Sequence, residues 1–318
     1  MIDKYNREID YLRISLTDKC NLSCIYCMPK KIEFYKSIND ILSFENYKFI
    51  IKGFSKLGIK KVRFTGGEPL IYDKLQELIK YTKENCNIDD ICITTNAIGL
   101  YEKIDKLKEN GLKKVNISLD SLDEDKYKKI TRGGDLKEVL KSIDRCVELG
   151  IKVKINCVLI KGLNDDELNQ FINLTKCKEI DVRFIELMPI GEGLKIFKNG
   201  YINLKEALNK IENLKPIKNE EKSVASYYKL GNSKGKVGII TPMSCSFCSE
   251  CNRIRMTSNG KVKLCLHSSE ELDINKYLNN ENEFTNLIEK YIYEKPEKHK
   301  LIENKKSDTK RNMNQIGG

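Results

Sequence analysis

A chain of 318 residues can carry one large α/β domain or about two of ordinary size, so it has room for a full core. Lys and Arg number 57 against 46 Asp and Glu; the net +11 suits an anionic ligand, and no Lys/Arg block interleaved with aromatics outside the charged C-terminal stretch argues for nucleic acid. Twelve cysteines are too few for a disulfide scaffold, no run of about 18 apolar residues could span a bilayer, and the opening MIDKYNREID lacks a secretory pattern, so a cytoplasmic, reducing setting is expected.

Residues 11–16 (YLRISL) read as the first strand, with Leu12, Ile14 and Leu16 in one phase and Arg13 in the other. The strand runs into a C-x3-C-x2-C loop formed by Cys20, Cys24 and Cys27. In a reducing compartment such clustered cysteines are more often metal ligands than bridges, and thiolates select zinc, copper(I) or iron–sulfur centres. Four ligands are usual for these sites, and the local fourth is missing here. Spacing alone leaves two readings open: a zinc knuckle that borrows a distant ligand, or a four-iron cluster with one iron open to a small molecule.

A helix follows from Ser43 as N-cap, with Phe44, Tyr47, Ile50, Ile51, Phe54 and Leu57 at helical spacing and Gly58 as its stop. The unit then repeats: strand 59–65 and helix 74–84, strand 90–95 and helix 101–110, strand 113–119 and helical stretches 123–130 and 136–149. Strand 152–160, helix 165–176 and strand 180–187 complete it. Gly111 and Gly150 punctuate it as Gly58 does. Six strands alternating with helices give a parallel sheet covered by helices. That is too few for a closed eight-fold barrel, and the pattern does not separate an open, partial barrel from a flat doubly wound sheet.

Strands buried on both faces should be apolar throughout, yet Arg13, Lys61, Arg63, Lys152, Lys154 and Arg183 lie within these. Each alone is consistent with a wet strand end; together they suggest a basic lumen for a polyanion, with guanidinium forks suited to phosphate. The loop Thr65-Gly66-Gly67-Glu68-Pro69 permits close backbone approach. Thr94-Thr95-Asn96, Ser118, Asp120, Glu186 and Met188 follow at strand ends, where they could bind a ligand or cap the next helix.

Beyond residue 190 the repeat stops. GEGLKIFKNG reads as a loop, 203–214 as a helix, and 224–230 with 236–241 as a strand pair. A second group, Cys245, Cys248, Cys251 and Cys265, would serve a zinc ribbon. Arg253 and Arg255 follow in one strand phase, which a structural zinc site does not need. The end, Arg311 to Gly318, reads on composition as a frayed polar tail.

The cysteine loop with its aromatic Tyr26, and the GGEP loop one βα unit later, resemble the radical S-adenosylmethionine (SAM) enzymes. Taken with ISLDSL, TRGG, KINCV, RFIELMP, FCSECNRIRMTSNGKVKLCL and the terminal Gly-Gly, the whole chain resembles the GTP 3′,8-cyclases within that superfamily. The resemblance implies a partial (β/α)6 TIM-like barrel over residues 1–223 and a C-terminal α+β extension over 224–318 carrying a second cluster. It implies two 4Fe-4S clusters, one held by Cys20, Cys24 and Cys27 with SAM, the other by Cys248, Cys251 and Cys265 with the substrate; Cys245 is left over. SAM contacts fall on Tyr26, Gly67, Ser118 and Met188. GTP contacts fall on Arg13, Arg63, Thr94, Lys154, Arg253, Ile254 and Arg255, with Lys61 and Arg183 as further phosphate candidates. Arg253, Arg255, Gly317 and Gly318 take catalytic roles. An external flavodoxin- or ferredoxin-like electron donor, hand-over of product to cyclic pyranopterin monophosphate synthase, and a homodimer are implied, with no nucleic acid and no membrane. Two other readings stand beside it: a radical SAM enzyme acting on a peptide, and a zinc module that holds nucleic acid.

Overall fold

The computed structural model describes residues 1–30, 41–218, 223–244 and 247–317; the expectations attached to Cys245 and Gly318 lie outside the described residues. The strands are β1 (Tyr11–Ser15), β2 (Lys61–Thr65), β3 (Asp90–Thr95), β4 (Lys114–Ser118), β5 (Lys152–Leu159), β6 (Ile180–Glu186), β7 (Leu214–Ile217), β8 (Ser226–Leu230), β9 (Val237–Ile240), β10 (Arg253–Met256), β11 (Lys261–Lys263) and β12 (Leu272–Asp273). The helices are α1 (Phe44–Lys56), α2 (Leu75–Cys86), α3 (Ile104–Glu109), α4 (Glu124–Thr131), α5 (Leu136–Glu148), α6 (Leu168–Cys177), α7 (Glu192–Gly200), α8 (Leu204–Leu208), α9 (Glu281–Tyr293), α10 (Leu301–Asn304) and α11 (Met313–Ile316).

Among the described residues all twelve strands join one sheet, ordered β12-β11-β10-β1-β2-β3-β4-β5-β6-β9-β8-β7. The six strands of the βα repeat lie side by side and parallel as expected. The C-terminal residues do more than follow them: β10 adds in parallel to β1 and β9 adds in parallel to β6, widening the parallel section to eight strands with antiparallel edges. The sheet is curled. Arg183 on β6 feels the charges of Arg63 on β2 and Tyr11 on β1, although five strand spacings would put β6 about 24 Å from β1 in a flat sheet. Among the described residues its two edges do not pair, so the curl stays open.

The strand phases divide the labour. Leu12, Ile14, Val62, Phe64, Val115, Ile117, Val153, Ile155, Val182 and Phe184 face the helices and are essentially inaccessible to solvent. The alternate phase carries Arg13, Arg63, Lys154 and Arg183, so the charged residues interrupting apolar strands all turn inward.

Three segments differ from expectation. Residues 192–200 form α7 rather than a loop, and the helix expected over 203–214 is shortened to α8, its end forming β7 against β8. Within the charged C-terminal stretch α9 forms because Phe284, Ile288 and Ile292 repeat every four residues and are buried, with Phe284 edge-on to Phe49 and Phe54 of α1. The strand pair around residues 231–235 forms as read, β8 antiparallel to β9.

Candidate active site

The first cysteine triad sits on the loop after β1, and neighbouring segments fix its backbone. Gly67 N–H donates to Thr17 O at 2.6 Å and Glu68 N–H to Lys19 O at 2.8 Å. A Cβ on Gly67 would collide with the Lys19 carbonyl, so only glycine permits this approach. Arg132 Nη1 donates to the carbonyls of Ser23 and Met28, both at 2.9 Å, while Ser23 and Ile25 N–H donate to Thr131 O and Ile130 O. The TRGG segment is thus a clasp on the cysteine loop.

Glu68 accepts from Leu70 N–H at 3.1 Å, Thr95 Oγ1 at 2.7 Å and Asn96 N–H at 2.7 Å. Asn96 in turn donates to Asn21 Oδ1 at 2.7 Å and lies 3.6 Å from Cys20 Sγ. Tyr26 donates its hydroxyl to Asp120 at 2.6 Å. Burial pushes Glu68 up to about 7 and Asp120 up to about 6. It likewise pushes the Cys20 thiol up to about 11 and Cys27 up to about 12, with Cys24 raised well above its ordinary value. Unligated, these three are neutral thiols, and a ligand metal must displace their protons. Met188 comes close to Tyr26: a Cβ on Gly193 would lie 2.5 Å from Met188 O and 3.4 Å from Tyr26 O. Ser118 closes β4 in register with Asn156.

Below this loop the curled sheet encloses a cavity of about 290 Å³, close to the small end of the range for small-molecule sites. Arg13, Lys61, Arg63, Thr94, Lys154, Arg183, Arg253 and Arg255 line it, so eight of the expected substrate residues, drawn from six strands, meet in one place. Their register explains the convergence, for Arg255, Arg13 and Arg63 are direct neighbours across β10, β1 and β2. Ile254 faces the other way; its side chain is in the core at 0 % exposure, which leaves only its backbone for a ligand.

The positive charge is only partly answered. Lys61 pairs with Asp90 at 3.0 Å and Lys154 with Asp181 at 3.4 Å. Arg183 Nε and Arg253 Nε are buried without hydrogen-bond partners. Desolvation and then repulsion from Arg253 lower Arg255 to about 10, and desolvation followed by Arg255 lowers Arg13 well below its ordinary value. Burying cations together this way costs stability, and an anionic ligand would return it.

Cys248, Cys251 and Cys265 line the same cavity. Burial raises Cys251, but Lys295 and Arg253 outweigh it and the thiol is lowered overall. Lys295 is 2 % exposed and donates to the carbonyls of Arg253, at 2.7 Å, and Leu264. Arg7 braces the other side, donating to Cys248 O at 2.8 Å and Pro296 O at 2.7 Å while pairing with Asp3 at 2.6 Å.

The tail joins the two ends. Gly317 O accepts from Arg255 Nη1 at 2.7 Å and Arg13 Nη2 at 3.2 Å, Asn314 Nδ2 donates to Asp18 O at 2.8 Å, and the Asn314 backbone hydrogen-bonds Cys27. Gly317 has φ +67° and its Cβ position is occupied by Thr65, so a side chain is excluded twice over. Ile316 is buried, and Arg311 grips Glu271 through one edge of its guanidinium, Nε and Nη2, at 2.6 and 2.7 Å. The fraying expected from composition therefore does not occur over the described residues.

Sequence reasoning missed Arg7, Lys295, Lys263 and the Arg311–Glu271 pair. Lysines in YEKPEKHK look like solvated surface, and only the fold reveals Lys295 as buried. Glu186 also turns out to brace a loop, accepting from Met243 N–H, Ser244 N–H and Ser244 Oγ at 2.9, 3.1 and 2.7 Å.

Among the described residues no three His, Cys, Asp or Glu side chains converge as ligands of one metal ion, and the described cysteines are thiols rather than disulfides. Two triads of partly exposed thiols, one braced beside Gly67 and one opening on a cation-lined cavity, fit three-cysteine four-iron clusters that each leave an iron available.

Comparison with known proteins agrees with this chemistry. The Radical SAM superfamily model matches residues 14–175 and the Molybdenum Cofactor Synthesis C model matches 180–301. Proteins named GTP 3′,8-cyclase from Clostridium botulinum (strain Hall), Clostridium acetobutylicum and Alkaliphilus oremlandii are 50%, 48% and 48% identical, each alignment covering 100% of both chains. Streptococcus suis SuiB bound to its precursor peptide SuiA is similar in fold, with a TM-score of 0.63 at 17% identity over 92% of this chain and 67% of that one. With half its residues identical over the full length and both family models placed in order, the chain belongs to the GTP 3′,8-cyclase family of the radical SAM superfamily.

Proposed function

We infer that this chain converts GTP to (8S)-3′,8-cyclo-7,8-dihydroguanosine 5′-triphosphate, the first step of molybdenum cofactor biosynthesis. The observation that carries the reading is one cavity shared by a cysteine triad, a wall of cations and the C-terminal tail. When bound and reduced, the first 4Fe-4S cluster with SAM supplies the 5′-deoxyadenosyl radical that takes the ribose 3′ hydrogen before attack on guanine carbon 8.

The protein's part is to hold and orient. Cys20, Cys24 and Cys27 hold that cluster, and Tyr26, Gly67, Ser118 and Met188 bound the SAM site. Cys248, Cys251 and Cys265 hold the second cluster at the base end of GTP. Arg13, Lys61, Arg63, Thr94, Lys154 and Arg183 clamp the phosphates and ribose, fixing carbon 3′ against carbon 8, where proximity supplies much of the rate. Arg253, Arg255 and the Ile254 backbone bridge phosphates and base, while Gly317 stands beside the reacting centre and Gly318 is assigned a catalytic role with it by the family resemblance. The division at 223/224 is proposed as functional: residues 1–223 generate the radical, and residues 224–318 bring the second cluster and the tail to a sheet that both parts build.

Reaction of anaerobically reconstituted protein with dithionite, SAM and GTP tests the reading by mass spectrometry. We expect 5′-deoxyadenosine together with a cyclised GTP isomer; SAM cleavage with untouched GTP would refute the substrate assignment. An external flavodoxin- or ferredoxin-like donor, hand-over to cyclic pyranopterin monophosphate synthase, a homodimer and a cytoplasmic location are proposed with it. Among the described residues no helix is long and apolar enough to cross a membrane.

A further inference from the structure

Tyr11 opens β1 in the inward phase, lines the cavity and is 5 % exposed. Three cations from adjacent strands surround its ring: Lys61 Nζ at 5.1 Å from the centroid, Arg253 at 5.5 Å and Arg63 at 5.7 Å. Register makes this inevitable, for Tyr11 stands directly between Arg253 on β10 and Lys61 on β2. The hydroxyl accepts from Arg63 Nε, and Arg63 Nη1 donates to Thr94 Oγ1 at 3.0 Å, so the Arg63 guanidinium is fixed at both ends.

Cations packed this closely in a buried site repel one another before any anion arrives. Lys61 has Asp90 as a partner at 3.0 Å, whereas Arg253 Nε has no hydrogen-bond partner. The negative face of an aromatic ring offsets such repulsion without neutralising the charges, as a carboxylate would. We propose that Tyr11 is a positioning residue for the anionic end of the substrate, holding Lys61, Arg63 and Arg253 convergent on the cavity. The phenol's own ionisation fits this setting: burial raises it, and the charges of Arg63, Arg13 and Arg253 together more than reverse the rise. This deepens the GTP reading and rests on it.

The test is equilibrium binding of GTP, guanosine and inorganic triphosphate to reconstituted holoenzyme without reductant. Tyr11→Leu removes ring and hydroxyl, and should weaken GTP and triphosphate about tenfold or more while guanosine shifts less than about twofold and iron content stays unchanged. Tyr11→Phe keeps the ring and should weaken both phosphates about threefold, raising KM for GTP without lowering kcat. Equal losses for guanosine and GTP, or phosphate binding unchanged in both variants, would overturn the proposal. Failure of the unmodified protein to bind GTP would instead overturn the substrate reading itself.

Discussion

The two cysteine triads have the same ligands and opposite surroundings. Around Cys20, Cys24 and Cys27 the carboxylates that act on the thiols are Glu68 and Asp120, and burial raises all three thiols. Around Cys248, Cys251 and Cys265 stand Lys295, Arg253 and Arg7, and Cys251 is pulled below its ordinary value although it is buried. The acidic end suits a cationic sulfonium ligand such as SAM, and the basic end suits a nucleoside triphosphate. Charge rather than ligand count distinguishes the two ends.

The hardest break is removal of either triad. Cys24→Ala should abolish SAM cleavage altogether, while Cys251→Ala should abolish cyclisation yet leave uncoupled 5′-deoxyadenosine formation; each should lower the iron content by about half. Cyclisation surviving Cys251→Ala would dissolve the division between the ends.

Next in size is the connection between them. Gly317→Val places a branched side chain at φ +67° against Thr65 and expels the tail, so turnover should fall at least about 100-fold while both clusters load normally. Arg311→Met acts on the same tail from outside the cavity by releasing Glu271. A three- to tenfold loss of kcat is expected, about 1 kcal/mol, and an unchanged rate would show that the tail docks without this anchor.

The last effect is on stability rather than turnover, and concerns the acidic end in the unligated chain. Burial raises Glu68 to about 7 from an ordinary 4.5, so the folded state binds the proton more tightly than the unfolded one. The associated stability is present below pH 4.5 and is lost as pH rises to about 7, a difference of up to about 3 kcal/mol. Glu68→Gln should flatten that slope, measured as denaturant midpoint against pH. A slope identical in both proteins would mean that Glu68 does not titrate there.

The parallel βα repeat was legible because its apolar phases, caps and glycines agree locally, from Ser43 and Gly58 onward. α9 and α7 were not, since charge on the exposed face hid the apolar stripe of the first and flanking glycines suggested a loop for the second. By spacing and strand phase, the sequence alone showed two clusters of cysteines and the shared phase of the strand arginines, for a period of two needs no tertiary information, while the division into two sets of three ligands came from the family resemblance. Tertiary structure decided what those phases face. Pairing of β10 with β1 across 237 intervening residues brings Arg253 and Arg255 beside Tyr11 and Arg13, and it buries Lys295 under Cys251. The same curl closes the tail over Arg13 and Arg255, because contacts so distant in the chain leave no local pattern to read.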